Sequence, residues 1–204
     1  MKASLDFTVN RIETFSDGVF AIVVTLLVFD LHFPHISNPT NENVWYAIVA
    51  ILPELLAWVN SFLIVCVIWM NHHRLMKQIK MFDSGLFWMN NLLLLFTSLL
   101  PFPTKLLGEY PGNSAGTFFY GLCMFLTTII FPSIYVYLIR HGQLLKKKQN
   151  QGVANRTLSL GVFYASGVYL IGSGLSWVNS WLAIGIYTII SIYFVLPRTR
   201  ITTD

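Results

Sequence analysis

The chain has 204 residues, of which 55% are hydrophobic and only 11% are charged, and its formal net charge at pH 7 is +4. Its mean hydropathy of +0.62 is far above that of an ordinary soluble domain. These values exclude a soluble globular protein and predict an all-α polytopic membrane protein.

Six apolar stretches are long enough to cross a bilayer, since a span needs about 20 mostly apolar residues. They are residues 11–31, 45–71, 84–107, 116–140, 157–175 and 178–196. The loops between them are short. The sequence therefore predicts a single transmembrane domain of six helices over residues 1–204.

The basic residues predict the orientation of these spans. Of the 13 Lys and Arg residues, all except Lys105 fall on one side of the six-span arrangement. Lys and Arg are retained in cytoplasmic loops, so we expect both termini to be cytoplasmic. The positive net charge then follows from topology, and we expect contacts with the lipid bilayer and none with nucleic acid.

The first span carries charged residues near its cytoplasmic end, with Asp17 about 9 Å beyond Arg11 at 1.5 Å per residue. Charges at this depth are costly and need partners or a function. The antiparallel course of the first three spans brings several polar residues to a similar depth: Arg11, Ser16, Asp17, His72, His73, Asn90 and Asn91. We expect a network between these helices that pairs Asp17 with Arg11 or with a histidine of the second span.

Glu13 is four residues before Asp17, a spacing at which like charges repel, so we expect Glu13 to point towards water. A proton relay through Asp17, His72 and His73 is the alternative to a structural network. A histidine metal site is not indicated, because this His pair lacks further spaced ligands.

Sequence motifs in the first three spans resemble those of a known family. The first span contains R-x-x-x-F-S-D, formed by Arg11, Phe15, Ser16 and Asp17. The next two spans contain Trp69, His72 and His73, and the segment NNLLLLFTSLLPFPT at residues 90–104. Together they resemble the transmembrane protein 175 family of potassium channels, in its six-helix prokaryotic form. The similarity covers essentially the whole chain and is weak in the last three spans.

The resemblance implies a homotetramer in the plasma membrane of a prokaryote, with the first helix of each subunit lining a central pore. It implies a channel selective for K⁺ over Na⁺, with no enzyme activity and no cofactor other than the permeant K⁺. The sequence contains no TVGYG-like filter and no Arg-rich fourth helix. Selection and gating would then depend on side chains of the first helix.

Helical spacing places one set of side chains on a single face of the first span: Phe15, Gly18, Ile22, Thr25, Leu26 and Phe29. Ile22 matches the hydrophobic constriction of the family, and four such side chains would form a gate that closes by dewetting. Thr25, one turn outward, would offer hydroxyls to a K⁺ ion passing near Ile22 and Thr25. Asp30 either concentrates cations at the outer mouth or simply faces interfacial water.

Other readings of these residues remain open. Without the resemblance, an apolar stripe such as Ile22, Leu26 and Phe29 is more typical of helix packing. A proton-coupled secondary transporter or a proton-conducting channel would also explain Asp17 beside two histidines. The transporter is less favoured, because the sequence contains no internal repeat of the kind that encloses a midplane cavity. A membrane enzyme would need convergent catalytic groups, which the sequence does not offer.

Overall fold

The computed structural model describes residues 8–146 and 151–195, with side chains placed for residues 8–146 and 163–195. The chain runs through α1 (Val9–Phe29), α2 (Asn41–Ala50), α3 (Leu52–Met76), α4 (Ser84–Leu99), α5 (Pro101–Glu109), α6 (Ser114–Arg140), α7 (Gln151–Leu175) and α8 (Ser180–Val195). The predicted all-α class is confirmed. The two chain ends, which the charge pattern predicts to be cytoplasmic, lie outside the described residues.

Four helical segments of the described chain are long and apolar enough to cross a membrane: Val9–Phe29, Leu52–Met76, Ser84–Glu109 and Ser114–Arg140. The fifth and sixth predicted spans coincide with α7 and α8, although α8 has only 16 residues. The chain is therefore a multi-pass membrane protein, and the count of six spans stays a prediction.

Two predicted spans are interrupted. The second does not form one helix from residue 45, because the chain breaks at Ile51 and α3 starts again with a proline in its first turn. The third is divided at Leu100, where Pro101 opens α5. Proline has no backbone N–H and suits the first turn of a helix, so both breaks follow from the sequence chemistry.

Helix α1 packs on α3, α4 and α5 through one of its faces. Its buried residues recur at helical spacing: Ile12, Ser16, Phe20, Val23 and Leu27. This stripe joins the main hydrophobic core, which continues into α3, α4 and α6. The packing holds α1 from one side only and leaves the opposite side of the helix uncovered.

The second half of the chain packs around buried tyrosines. The Tyr187 ring of α8 lies 5.6 Å from Tyr120 of α6 and 5.5 Å from Tyr169 of α7, measured between centroids. Gly172 makes room for it, since a Cβ there would lie 2.5 Å from Tyr187 Cε1. These contacts hold α6, α7 and α8 together, and α3, α4 and α5 pack against α6 or α8.

The α3–α4 connection and the α6–α7 connection are joined. Ile79 and Leu145 form an antiparallel bridge, with Lys80 N–H donating to Leu144 O at 2.7 Å. Nearby, Asp83 caps α4 by accepting from Leu86 N–H and also accepts from the Tyr137 hydroxyl at 2.7 Å. The start of α4 is thereby tied to the end of α6.

Candidate functional site

A buried hydrogen-bonded chain joins α1, α3 and α4 at the depth predicted from topology. Asn90 Nδ2 donates to Ser16 Oγ at 3.1 Å, and Asn90 Oδ1 lies 2.9 Å from His72 Nε2. Because the Asn90 amide nitrogen is used on Ser16, its oxygen is the acceptor and His72 Nε2 must carry the proton. All three side chains are at most 1% exposed. This part of the predicted network is present.

His72 is fixed further by packing. The Phe20 ring of α1 lies 5.2 Å from the His72 ring, centroid to centroid, at an angle of 56°. The other ring nitrogen, Nδ1, is buried and has no hydrogen-bond partner among the described residues. A neutral His72 with the proton on Nε2 leaves only an acceptor unpaired, which favours a structural role for this side chain.

Asp17 is held by a different partner from the one predicted. Within the described part of the chain, Trp69 Nε1 donates to Asp17 Oδ1 at 2.8 Å, and neither Arg11 nor a histidine pairs with this carboxylate. Arg11 is exposed, on the uncovered side of α1. The reason is the rotation of α3 about its axis, which turns Trp69 towards Asp17 and turns His72 into the core.

Glu13 does not point to water as predicted. Its Oε1 lies 3.1 Å from His73 Nδ1, and the His73 ring stacks on Trp69 with centroids 6.0 Å apart. Glu13 and Asp17 are four residues apart on α1, and Trp69 and His73 are four residues apart on α3. The two antiparallel helices therefore meet through two pairs at the same spacing, Asp17 with Trp69 and Glu13 with His73. This matched spacing is the sequence signal that would have identified Glu13 as a member of the network.

Asn91 does not belong to the network between helices. Its Nδ2 donates to Phe87 O of its own helix at 2.8 Å. Adjacent positions on a helix point about 100° apart, so α4 can present only Asn90 to the buried junction. The prediction for Asn91 was wrong for this geometric reason.

The face of α1 predicted to line a pore is the uncovered one. Ile22 is 59% exposed and Phe29 75%, whereas Val23, one residue away from Ile22, is 1% exposed. Phe15, Gly18, Thr25 and Leu26 lie on the same exposed side. Gly18 faces open space, because a Cβ added there would meet nothing within 4 Å. One chain therefore presents a continuous, mostly apolar helix face with no described residue packed on it.

Thr25 is the polar position on this face. Its Oγ1 donates to Ile22 O at 2.8 Å and also lies 3.2 Å from Ala21 O. The hydroxyl proton is thus turned back onto the helix. The oxygen keeps its lone pairs available, so it can accept a hydrogen bond or contact a cation on the exposed side.

Asp30, predicted at the outer mouth, directly follows the last residue of α1. It is eight residues beyond Ile22 and thus about 80° around the helix. Asp30 lines a cavity between α1, α3 and α5, together with Glu54 and Lys105. Asp30 therefore belongs to the wall of a cavity beside the exposed face, and its place at an outer mouth stays a prediction.

Residues 11–101 match the family described as "Endosomal/lysosomal potassium channel TMEM175". The chain is 32% identical to "Potassium channel Cha6605_3372" of Chamaesiphon minutus, over 92% of this chain and 93% of that protein. It is 29% identical to "Potassium channel B446_29190" of Streptomyces collinus, over 95% of each. The human "Endosomal/lysosomal proton channel TMEM175" is 36% identical over 45% of this chain and 19% of its own length.

Solved structures have the same architecture. The crystal structure of a lysosomal potassium-selective channel TMEM175 homolog from Chamaesiphon minutus superimposes with a TM-score of 0.79 at 30% identity. The alignment covers 92% of this chain and 96% of that one. The fold is also shared with a variant of the potassium channel MtTMEM175, at a TM-score of 0.64 and 21% identity over 95% of this chain and 94% of that one.

Proposed function

Because this chain belongs to the TMEM175 family, we propose that it is a potassium-selective cation channel of the prokaryotic plasma membrane. The observation that carries the proposal is the uncovered face of α1, set opposite a face that is anchored to three other helices. Two relatives matched over almost their full length are named potassium channels. We expect no enzyme activity and no cofactor other than the permeant K⁺.

The pore requires several copies of the chain. One helix cannot surround an axis, and closed cyclic symmetry is the usual solution for identical subunits. We propose a homotetramer in which four α1 helices face a central axis with their exposed sides. The exposed apolar surface of α1, which a single chain leaves uncovered, supports this arrangement.

Ile22 is the proposed constriction. Four isoleucine side chains around a narrow axis exclude water, and a cation cannot cross a dry segment without losing its hydration shell. Thr25, one turn outward, is the proposed cation contact. Its hydroxyl oxygen, with the proton directed at Ile22 O, offers the ion a partial replacement for water.

Arg11 lies on the same exposed side as this face, near the start of α1, which we propose to be its cytoplasmic end. Four unpaired guanidinium groups at the inner mouth would repel a cation. The Asp17 carboxylate of the same chain already accepts a hydrogen bond from Trp69 through Oδ1. We infer that Arg11 pairs with a carboxylate of a neighbouring copy, which would neutralise the mouth and join the subunits.

Ion flux from liposomes tests this function. Purified protein should release K⁺ faster than Na⁺ under matched gradients, and cross-linking of the detergent-solubilised protein should trap four copies. A stable, active monomer would refute the pore described above. Flux that saturates without stepwise single-channel currents would favour a transporter, and acidification of dye-loaded vesicles at zero K⁺ gradient would favour a proton channel.

A further inference from the structure

The α3–α4 and α6–α7 connections form a joined backbone that presents two lysines. The Lys80 N–H donates across the bridge at 2.7 Å, and the Lys146 N–H donates back at 2.9 Å. The bridged residues, Ile79 and Leu145, both pack on the hydrophobic core. Because side chains alternate along an extended strand, the residues that follow them turn outwards, and both lysines are exposed.

The register of the bridge brings these two lysines close enough to share one anion. Each lysine directly follows a bridged residue, so Lys80 and Lys146 occupy diagonal positions on one face of the pair. Such positions are about 7–8 Å apart. A lysine carries its ammonium group on a flexible four-carbon stem. Two stems at this separation can therefore converge on one phosphate group.

The joined connections are strongly basic. Residues 74–84 and 137–146 contain five Lys and Arg side chains against one carboxylate, that of Asp83. Asp83 already accepts from the Leu86 N–H through Oδ1 and from the Tyr137 hydroxyl through Oδ2. Lys80 and Lys146 form no ion pair with another described residue. The excess of positive charge attracts anions.

These connections lie at a membrane surface. The helices α3 and α6 end at Met76 and Arg140, and α4 begins at Ser84. All three belong to segments long and apolar enough to cross a bilayer. The anions at this level are phospholipid head groups, and anionic lipids attract basic segments that adjoin a span. Charge and depth together favour a phospholipid phosphate as the anion.

Exposed apolar side chains adjoin the lysines. Met81 directly follows Lys80, outside any helix, and is 50% exposed. Trp88, in the second turn of α4, is also exposed. Gly85, three residues before it, packs on Tyr137 of α6, which places the indole at the edge of the α4–α6 contact. Tryptophan is enriched where head groups meet acyl chains, so this surface offers charge to a phosphate and apolar contact to the chains.

We propose that this surface binds the head group of an anionic phospholipid. Lys80 and Lys146 hold the phosphate, and Met81 and Trp88 contact the acyl chains next to it. The bound lipid stabilises the end of α3, the helix whose Trp69 bonds to α1. An effect of the lipid on ion flux rests on the proposed function, whereas binding itself does not.

Thermal unfolding of the purified protein in an uncharged sugar detergent measures binding. Dioleoylphosphatidylglycerol should raise Tm saturably. Dioleoylphosphatidylcholine has the same acyl chains and no net charge, and it should raise Tm much less. Glycerol phosphate, which carries the anion without acyl chains, should have no effect at the same concentrations. An equal rise with phosphatidylcholine would assign the effect to acyl contact alone, and an equal rise with glycerol phosphate would assign it to a free anion; either result overturns the proposal.

Variants locate the head group. Lys80→Gln and Lys146→Gln should each raise the Kd for phosphatidylglycerol about fivefold, the contribution of one basic side chain at an anionic surface. The bridge uses the backbone groups of both residues, so glutamine preserves it. Lys80→Arg and Lys146→Arg keep the charge and should bind like wild type.

Lys105→Gln is the matched control, because it removes the same charge near the opposite end of the segment Ser84–Glu109. It should bind phosphatidylglycerol like wild type. Equal weakening in Lys105→Gln, or unchanged binding when both Lys80 and Lys146 are replaced by glutamine, would refute the site. Each Tm shift is measured against the same variant without lipid, so a change in basal stability does not enter the comparison. Because no ion flux is needed, a failure of the channel proposal and a failure of the lipid proposal are separately visible.

Discussion

The Trp69 indole N–H donates a hydrogen bond to the Asp17 carboxylate at 2.8 Å and thereby ties α3 to α1, close to the point where Asn90 ties α4 to α1. The partner of the intramembrane acid is thus a neutral donor. Removing Asp17 leaves an N–H group unpaired rather than a charge. The expected cost is correspondingly smaller than the several kcal/mol lost when a buried ion pair loses one member.

Trp69→Phe should destabilise the protein by about 1–2 kcal/mol, because it removes the donor to Asp17 and keeps an aromatic ring. Thermal unfolding and the fraction of assembled oligomer measure the effect. Trp88→Phe is the matched control, since Trp88 is 69% exposed. Identical melting of the two variants would show that the bond to Asp17 contributes no stability.

Asn90→Ala should cost about 2–4 kcal/mol, because it leaves the buried Ser16 and His72 side chains without their partner. The neighbouring Asn91→Ala should cost less than about 1 kcal/mol, since Asn91 bonds only to its own helix. Chemical or thermal unfolding of both variants checks this pair. A larger loss for Asn91→Ala would contradict the assignment of Asn90 as the junction.

Ile22→Asn should raise ion leak and reduce the discrimination between K⁺ and Na⁺, because an amide hydrates the narrowest point of the proposed pore. Liposome flux and reversal potentials under opposing gradients measure both effects. Val23 is unsuitable as the control, since it is 1% exposed and a polar side chain there would disrupt the core.

Val28 supplies the control for this position. It is 45% exposed but lies about 120° around the helix from Ile22. Val28→Asn should therefore leave permeation close to wild type. If it changed leak as much as Ile22→Asn, α1 would present a different face to the axis.

Thr25→Ala should lower the preference for K⁺ without a comparable rise in leak, because it deletes the hydroxyl and leaves the Ile22 constriction in place. Thr25→Ser keeps a hydroxyl that can still donate to Ile22 O, and it should retain selectivity. Reversal potentials of the two variants, compared with wild type, decide the point. Equal loss in both would assign the effect to packing rather than to the oxygen.

Much of the architecture was predictable, because the length of an apolar segment and the helical period depend only on residues that are near each other in the sequence. Apolar runs predicted the helices, and the family resemblance carried by Arg11, Phe15, Ser16 and Asp17 is confirmed. The exposed stripe containing Ile22 follows from the 3.6-residue period. The opposite stripe ending at Leu27 is its buried counterpart. The antiparallel topology also predicted that Ser16 and Asn90 lie at the same depth, and the structure shows a hydrogen bond between them.

Which side chains pair at that depth depended on more than the helical period and the depth of each residue. A sequence shows which side of a helix is apolar, but the rotation and axial register of each helix are set by packing against all its neighbours at once. That rotation turned Trp69 rather than His72 towards Asp17, and it brought His73 to Glu13. It also placed Asp30, Glu54 and Lys105, which are distant in the chain, in the wall of one cavity. Local spacing determines the faces of the helices, and only the tertiary structure decides which faces meet.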